Sequence, residues 1–141
     1  MDFSSINWLA IVACVFISMV SGFLWYNPKT FFPAWWKGIG KSESDLNDTG
    51  DMENAGAMTW GLTVLASLVQ AVFVSLLLTV MGSNTLAAGL QAGFVIWLGF
   101  IAPTNLVNKL FAGHGLKVWA IEAGNHLVNM LLFGAILAMW Q

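Results

Sequence analysis

The carboxyl-terminal part of the chain reads VWAIEAGNHLVNMLLFGAILAMW over residues 118–140. An apolar run of this length can cross the ~30 Å hydrocarbon core of a bilayer as one helix. Glu122, His126 and Asn129 interrupt the run at helical spacing, and Asn125 lies on the same side. A carboxylate and an imidazole are costly in hydrocarbon, so we expect these side chains to face a protein interior or a wet cavity and to mark function.

The composition of the whole chain indicates that its solvent is mostly lipid. Hydrophobic residues make up 58% and charged residues 9% of the sequence, far from the values of soluble domains. Four apolar runs are long enough to span a membrane, at residues 6–26, 57–81, 85–107 and 118–140. Such runs must be helical in lipid, where every backbone polar group needs an internal partner. We therefore predict an all-α bundle of four transmembrane helices, forming one integral membrane domain over residues 1–141.

Lysine placement predicts the orientation of this bundle. The lysines are Lys29, Lys37, Lys41, Lys109 and Lys117. All of them fall in the first and third connections between the predicted spans, whereas the termini and the second connection have none. By the positive-inside rule, both lysine-bearing connections lie in the cytoplasm and both termini lie outside.

The first connection, residues 27–54, is predicted to contain an interfacial helix. Residues 29–38 combine bulky aromatic side chains with lysines and are too short to span, so they should lie in the headgroup layer. The expected interfacial anchor consists of Trp25, Tyr26, Trp35 and Trp36. The chain then turns acidic, and the spacing of Ser42 and Asp45 is typical of a helix amino-terminal cap.

Small residues recur at every fourth position in two of the predicted helices. They are Ala10, Cys14, Ser18 and Gly22 in the first helix, and Gly89 and Gly93 in the third. Such stripes let helix backbones approach closely in lipid. They are compatible with packing inside the bundle and with an interface between subunits, and the second interpretation predicts a homo-oligomer. For the single cysteine, Cys14, we expect a buried apolar role rather than a reactive one.

The second and fourth helices also align without gaps at an offset of 59 residues. Trp60 aligns with Trp119, Thr63 with Glu122, Ser67 with His126, and Gln70 with Asn129. Polar positions thus match polar positions, as in a duplicated hairpin that builds a central site. This pattern adds Gln70 to the candidate residues.

Helix geometry suggests which other residues share the depth of Glu122. A turn between helices three and four near Gly113 places Asn105 opposite Glu122. Pro103 removes a backbone hydrogen bond nearby and is expected to free a carbonyl toward the same space. The candidates for one polar pocket of binding or proton-relay residues are Glu122, His126, Asn129, Asn125, Asn105 and Gln70. Leu127, Met130 and Leu131 are then expected to face lipid.

Several chemistries are compatible with these residues. Glu122 could be protonated or paired with His126, with the amides bonding across helices as packing contacts. A metal site would have only Glu122 and His126 as ligands, because His114 is expected to be solvated in its turn, and haem would need a second histidine from a symmetric partner. A lipid-modifying enzyme could use the same two residues as acid and base. Residues 45–50 resemble the start of a calcium loop, but Gly56 stands where that loop needs a glutamate.

Seven short segments resemble one known family. They are INWLAIV (6–12), GFLWYNP (22–28), AWWK (34–37), GFIAP (99–103), NKLF (108–111), GNHLV (124–128) and GAIL (134–137). The first three look like the amino-terminal half, and the others the carboxyl-terminal half, of the small bacterial membrane proteins grouped as domain of unknown function 1761. The resemblance implies a four-helix membrane architecture in the bacterial inner membrane, and it supplies neither an activity nor catalytic residues.

Two functions from different classes follow from the sequence. One is a non-enzymatic scaffold or accessory subunit with an intramembrane polar pocket, and the other is a small proton-linked or solute transporter or channel that uses Glu122 and His126. Neither needs a cofactor or a metal ion. The expected partners are the lipid bilayer and either further copies of the chain or other subunits of a membrane complex, with no nucleic acid among them.

Overall fold

A computed structural model describes residues 3–46 and 52–140, and within these residues it contains helices and no β-strand. The α-helices are α1 (Trp8–Trp25), α2 (Phe32–Gly38), α3 (Met52–Met81), α4 (Leu86–Ile96), α5 (Ala102–Phe111) and α6 (Gly115–Met139). A π-helical segment, Trp97–Ile101, joins α4 to α5 without a break. Shorter 3-10 turns lie at Phe3–Ser5 and Glu43–Leu46.

Four helical stretches in the described part of the chain are long and apolar enough to cross a membrane. They are Trp8–Trp25, Gly56–Met81, Leu86–Phe111 and Gly115–Met139. This confirms the predicted all-α bundle, and α2 is the expected short helix between the first two spans. The third span continues to Phe111, beyond residue 107 where the apolar run ends. Lys109 therefore lies in the last turn of α5 and not in a connection.

Local sequence explains where several helices begin and end. The Asn7 side chain accepts hydrogen bonds from the backbone N–H groups of Leu9 and Ala10 and caps α1. Thr85 caps α4 in the same way. Between α5 and α6, Gly113 and Gly115 adopt φ values of 74° and 77°, a conformation that favours glycine and closes the turn tightly.

The π-helical segment lies directly before Pro103. The backbone N–H of Ala102 donates to the carbonyl of Trp97, one residue further back than in an α-helix. Proline lacks an N–H and clashes with the carbonyl four residues before it, so a widened turn relieves a conflict that would otherwise break the helix. The span thereby continues through Pro103 and carries Asn105 and Lys109 toward its end.

The α6 helix is the centre of the bundle and packs against α1, α2, α3, α4 and α5. Its buried face includes Val118, Met130, Phe133 and Leu137. The expectation that Met130 faces lipid is wrong, because this side chain is fully buried among α1, α3 and α4. Cys14 is fully buried in the same core, as expected.

The α4 and α6 helices approach each other most closely at glycines. A Cβ atom built on Gly89 would collide with the carbonyl oxygen of Gly134, and one on Gly93 with that of Met130. Ala10, Cys14 and Ser18 are also buried inside the chain's own bundle. Gly89, Gly93 and three of the four small residues of α1 therefore pack within one chain, whereas a Cβ at Gly22 would meet nothing within 4 Å. Packing inside the bundle thus accounts for these five positions without an interface between subunits.

Candidate functional site

Glu122 is held by three donors from two other helices. Trp35 of α2 donates through its indole N–H to Oε1 at 2.9 Å. Asn105 of α5 donates through Nδ2 to Oε2 at 3.2 Å. The ammonium nitrogen of Lys109 lies 2.7 Å from the same Oε2. We call Trp35, Asn105, Lys109 and Glu122 the carboxylate cluster.

The carboxylate cluster is largely shielded from solvent. The side chain of Glu122 is 13% exposed and that of Lys109 is 21% exposed. Hydrogen bonds to a charged group are shorter and stronger than neutral ones, especially where little water competes. The cluster therefore ties α2 and the end of α5 to the first third of α6.

Sequence reasoning found only part of this cluster. The predicted approach of Asn105 to Glu122 is confirmed. Lys109 was missed because the apolar run ends at residue 107, although its position four residues after Asn105 places both on one face if the helix continues. The sequence interpretation that paired Glu122 with His126 is wrong, because the partner of the carboxylate is Lys109.

Indole groups bond to the backbone around Glu122. Trp25 donates to the carbonyl of Ile121 at 2.9 Å, and Trp97 donates to that of Ala123 at 2.8 Å. The ring of Trp25 packs so closely on α6 that a Cβ at Gly124 would lie 2.9 Å from it. Buried tryptophans need a partner for their N–H, and here the helix carbonyls supply it. Glu122 thus sits on a backbone fixed from two sides.

Trp119 makes the corresponding bond from α6 to the proline region of α5. Its indole N–H donates to the carbonyl of Ala102 at 3.0 Å, directly before Pro103. This bond connects the first part of α6 to the first residue of α5. Among the described residues, the two helices of this hairpin are therefore joined by Trp119 at one point and by the carboxylate cluster at another.

The predicted interfacial anchor divides into residues that contact α6 and residues that do not. Trp25 and Trp35 bond to α6, as described above. Tyr26 follows α1, and its ring meets that of Trp35 edge-on at 5.4 Å. Burial, and then the nearby Glu122 carboxylate, raise the pKa of the Tyr26 phenol above its usual range. Trp36 instead donates to the carbonyl of Ser42 at 2.8 Å, on the surface of the connection.

The connection after α2 begins with the predicted cap. The backbone N–H and the hydroxyl of Ser42 both donate to the carboxylate of Asp45, at 2.6 and 2.9 Å. These bonds hold the pKa of Asp45 below its usual range. The structure that follows is the single 3-10 turn Glu43–Leu46. Most of the calcium-loop-like segment, residues 47–50, lies outside the described part of the chain.

Asn125 and Asn129 form a second polar group, further along α6 than Glu122 and next to α1. Asn125 Nδ2 donates to the hydroxyl of Ser21 in α1 at 3.3 Å. Asn129 Nδ2 lies 3.4 Å from Asn125 Oδ1. Both side chains are buried, at 7% and 9% exposure, and Asn129 Oδ1 has no hydrogen-bond partner within residues 3–46 and 52–140. We call Ser21, Asn125 and Asn129 the amide chain.

The single pocket predicted from sequence is therefore wrong in its geometry. Glu122 and Asn105 belong to the carboxylate cluster, whereas Asn125 and Asn129 belong to the amide chain. His126 and Gln70 are half-buried and have no side-chain hydrogen bond among the described residues. The reason is mainly position along the helix: Asn129 lies seven residues, about 10 Å, beyond Glu122, and Asn125 is turned toward α1.

No group of three His, Cys, Asp or Glu side chains in the described residues is arranged to hold a metal ion. His114 is half-buried at the start of α6 rather than solvated, and its Nδ1 finds no hydrogen-bond partner in the part of the chain that the structure describes. The groups that could take part in chemistry here are therefore one ion pair, the two half-buried imidazoles of His114 and His126, and a chain of amides.

Comparison with known proteins gives one match. The family model described as "Protein of unknown function (DUF1761)" matches residues 9–138, which include the carboxylate cluster and, except for Trp8 and Met139, the four membrane-capable stretches. No curated protein and no solved structure matched the chain. Since the match covers nearly the whole sequence, the chain belongs to the DUF1761 family.

Proposed function

We propose that this protein is a non-enzymatic membrane scaffold or accessory subunit whose cytoplasmic side is held rigid by the carboxylate cluster. The observation that carries the proposal is that both oxygens of Glu122 are engaged, Oε1 by Trp35 and Oε2 by Asn105 and Lys109. A carboxylate with this set of donors joins helices. A general base or a cargo ligand needs an oxygen that is free to exchange partners.

The carboxylate cluster also explains how α2, which is expected to lie in the headgroup layer, is held in one position. The α2 helix has seven residues and is too short to be stable alone in water. Its bond from Trp35 to Glu122, together with the contact of Gly38 with Val118, attaches it to α6. A fixed α2 presents one constant surface, with Lys37 exposed, to lipid headgroups and to a partner protein.

The proposed setting is the cytoplasmic membrane of a bacterium, with the lipid bilayer and either further copies of this chain or other subunits as partners. Both termini are proposed to be extracytoplasmic. This places α2 and the carboxylate cluster on the cytoplasmic side. The support is the position of the lysines: Lys29, Lys37 and Lys41 lie between the first two spans, and Lys109 and Lys117 lie in the last turn of α5 and the first turn of α6.

A transport function is the second candidate, and one observation favours it. His126 is half-buried one turn inward from Glu122 and makes no hydrogen bond among the described residues. An imidazole in such a position can exchange a proton without first breaking a side-chain contact. In a transport function, a proton entering from the cytoplasm would bind first to Glu122 and then to His126.

Flux and helix mobility together separate the two functions. We expect purified protein in proteoliposomes to give no proton or solute flux above that of empty vesicles. We also expect Glu122→Gln to increase the mobility of a spin label placed at Lys37 on α2, since the charged acceptor of Trp35 is lost. Lys117→Gln is the matched control, because Lys117 is exposed and outside the cluster. A flux by the native protein that disappears in folded Glu122→Gln would replace the scaffold by a transporter.

Orientation is tested by cysteine labelling in a Cys14→Ala background. A cysteine appended after Gln141 should react with a membrane-impermeant maleimide in intact cells. Ser44→Cys, in the exposed turn after α2, should react only after permeabilisation. The Cys14→Ala protein without a new cysteine gives the background signal. Labelling of Ser44→Cys in intact cells would reverse the proposed topology.

A further inference from the structure

We propose that the amide chain ends in a binding site for one water molecule near the middle of the membrane, between Asn129 of α6 and Ser18 of α1. The first observation is Asn129 Oδ1, a buried oxygen that no donor among the described residues reaches. Asn129 is 9% exposed. A buried amide oxygen without a donor costs about 1–3 kcal/mol, so such groups usually bind another hydrogen-bonding molecule.

Rotating the amides does not remove this requirement. In the observed arrangement, Asn129 uses its NH₂ toward Asn125 and leaves its oxygen unpaired. Turning both amides by 180° would let Asn125 donate to the Asn129 oxygen, but it would leave the Asn129 NH₂ unpaired instead. The atom at this position makes no hydrogen bond to any described residue, Ser18 included. A ligand must therefore satisfy a polar atom of Asn129 in either arrangement, and water can both donate and accept.

The packing of α1 on α6 identifies the second contact of this ligand. Trp25 is hydrogen-bonded to Ile121, and Ser21 is hydrogen-bonded to Asn125. Because the earlier residue of α1 pairs with the later residue of α6, the two helices run antiparallel. Ser18 is one turn before Ser21 on the same face, and Asn129 is one turn after Asn125. Continuing the register places Ser18 opposite Asn129.

Ser18 cannot supply the missing donor. It is 5% exposed, and its hydroxyl donates to the carbonyl of Val15 at 2.8 Å. Toward α6, the Ser18 hydroxyl can therefore only accept a hydrogen bond, through an oxygen lone pair. Two facing acceptors, Asn129 Oδ1 and Ser18 Oγ, need a ligand with two hydrogens to donate, and water has this chemistry. A bare monovalent cation would find only two oxygens here, fewer than the shells of oxygen ligands that hard cations collect.

The depth of the site places this water near the middle of the hydrocarbon core. Asn129 lies ten residues after Trp119, which corresponds to about 15 Å along the helix and to half of a ~30 Å hydrocarbon core. The water would extend the hydrogen-bonded path Ser21–Asn125–Asn129 and bridge α1 to α6. This inference is independent of the proposed scaffold function, because the carboxylate cluster has no part in it.

Water-edited solid-state NMR on the protein in lipid bilayers tests the site. Magnetisation should pass from water to the side-chain amide of Asn129, and it should not pass to the methyl group of Met130, the fully buried neighbour at the same depth. Ser18→Ala removes one of the two acceptors, so transfer to Asn129 should fall to the level of Met130. The matched control is Ser75→Ala, a buried serine of α3, which should leave the transfer unchanged.

Each opposite result overturns the proposal. No transfer to Asn129 in the folded native protein would show that the amide is dry. Transfer that survives Ser18→Ala, in protein with an unchanged melting temperature, would exclude the bridge. Transfer that disappears when choline replaces sodium and potassium in the buffer would identify a cation as the ligand in place of water.

Discussion

Lys109→Met is expected to destabilise the protein by about 1.5–3 kcal/mol, the usual contribution of a hydrogen-bonded charged group in a partly buried ion pair. The variant leaves the Glu122 carboxylate, 13% exposed, with Trp35 and Asn105 but without its counter-ion. Methionine keeps most of the volume of the lysine stem, so the loss reports the charge and not a cavity. The measurement is the free energy of unfolding in mixed micelles titrated with a denaturing detergent.

Two further variants isolate the pair itself. Lys109→Met combined with Glu122→Gln should be more stable than Lys109→Met alone, because no unpaired charge is left in the cluster. Lys117→Met changes an exposed lysine near the same end of α6 and should alter the free energy of unfolding by no more than about 0.5 kcal/mol. Equal losses for Lys109→Met and Lys117→Met, or strict additivity in the double variant, would contradict the role assigned to the pair.

Gly93→Ala is expected to cost about 1–3 kcal/mol, the usual effect of inserting a methylene-sized group into a well-packed core. The new Cβ would collide with the carbonyl oxygen of Met130, and backbone atoms cannot move aside as a flexible side chain can. The α4 helix would have to move away from α6 along its length. Thermal unfolding followed by circular dichroism, with the mass of the detergent-solubilised protein measured in parallel, gives the result.

Gly61→Ala is the matched control for this prediction. Gly61 lies in α3, and a Cβ at this position meets nothing within 4 Å. Alanine has the higher helix propensity, by about 1 kcal/mol, so Gly61→Ala should be neutral or slightly stabilising. If Gly93→Ala instead lowered the mass of an oligomer and left the unfolding temperature unchanged, the glycines would form a contact between subunits and the α4–α6 packing described here would be wrong.

The sequence by itself determined the parts of this fold that depend on segment length and on local register. Four apolar runs of membrane-spanning length become helices because lipid offers the backbone no hydrogen-bond partner. The aromatic, lysine-bearing segment before residue 39 is too short to span a membrane, and it forms the short helix α2. The approach of Asn105 to Glu122 followed from a short hairpin turn and the constant rise of a helix.

Tertiary structure decided the ends of helices and the partners of polar groups. The third span continues four residues beyond its apolar run, since the end of a helix near the headgroups is not limited by hydrophobicity, and this brings Lys109 to Glu122. Trp35 reaches the same carboxylate from a segment 87 positions away in the sequence, a separation at which local patterns carry no signal.

Only the tertiary structure decided which apolar face is buried. Met130 was expected toward lipid and is fully buried, and five of the six small residues of the two stripes pack within one chain. In a soluble protein, the helix face toward water is polar and the face toward the core is apolar, so the sequence shows which face is buried. In a bilayer, lipid tails are as apolar as the protein core, so the sequence of a transmembrane helix determines that it is inserted, and the close packing of side chains on neighbouring helices determines how it is turned.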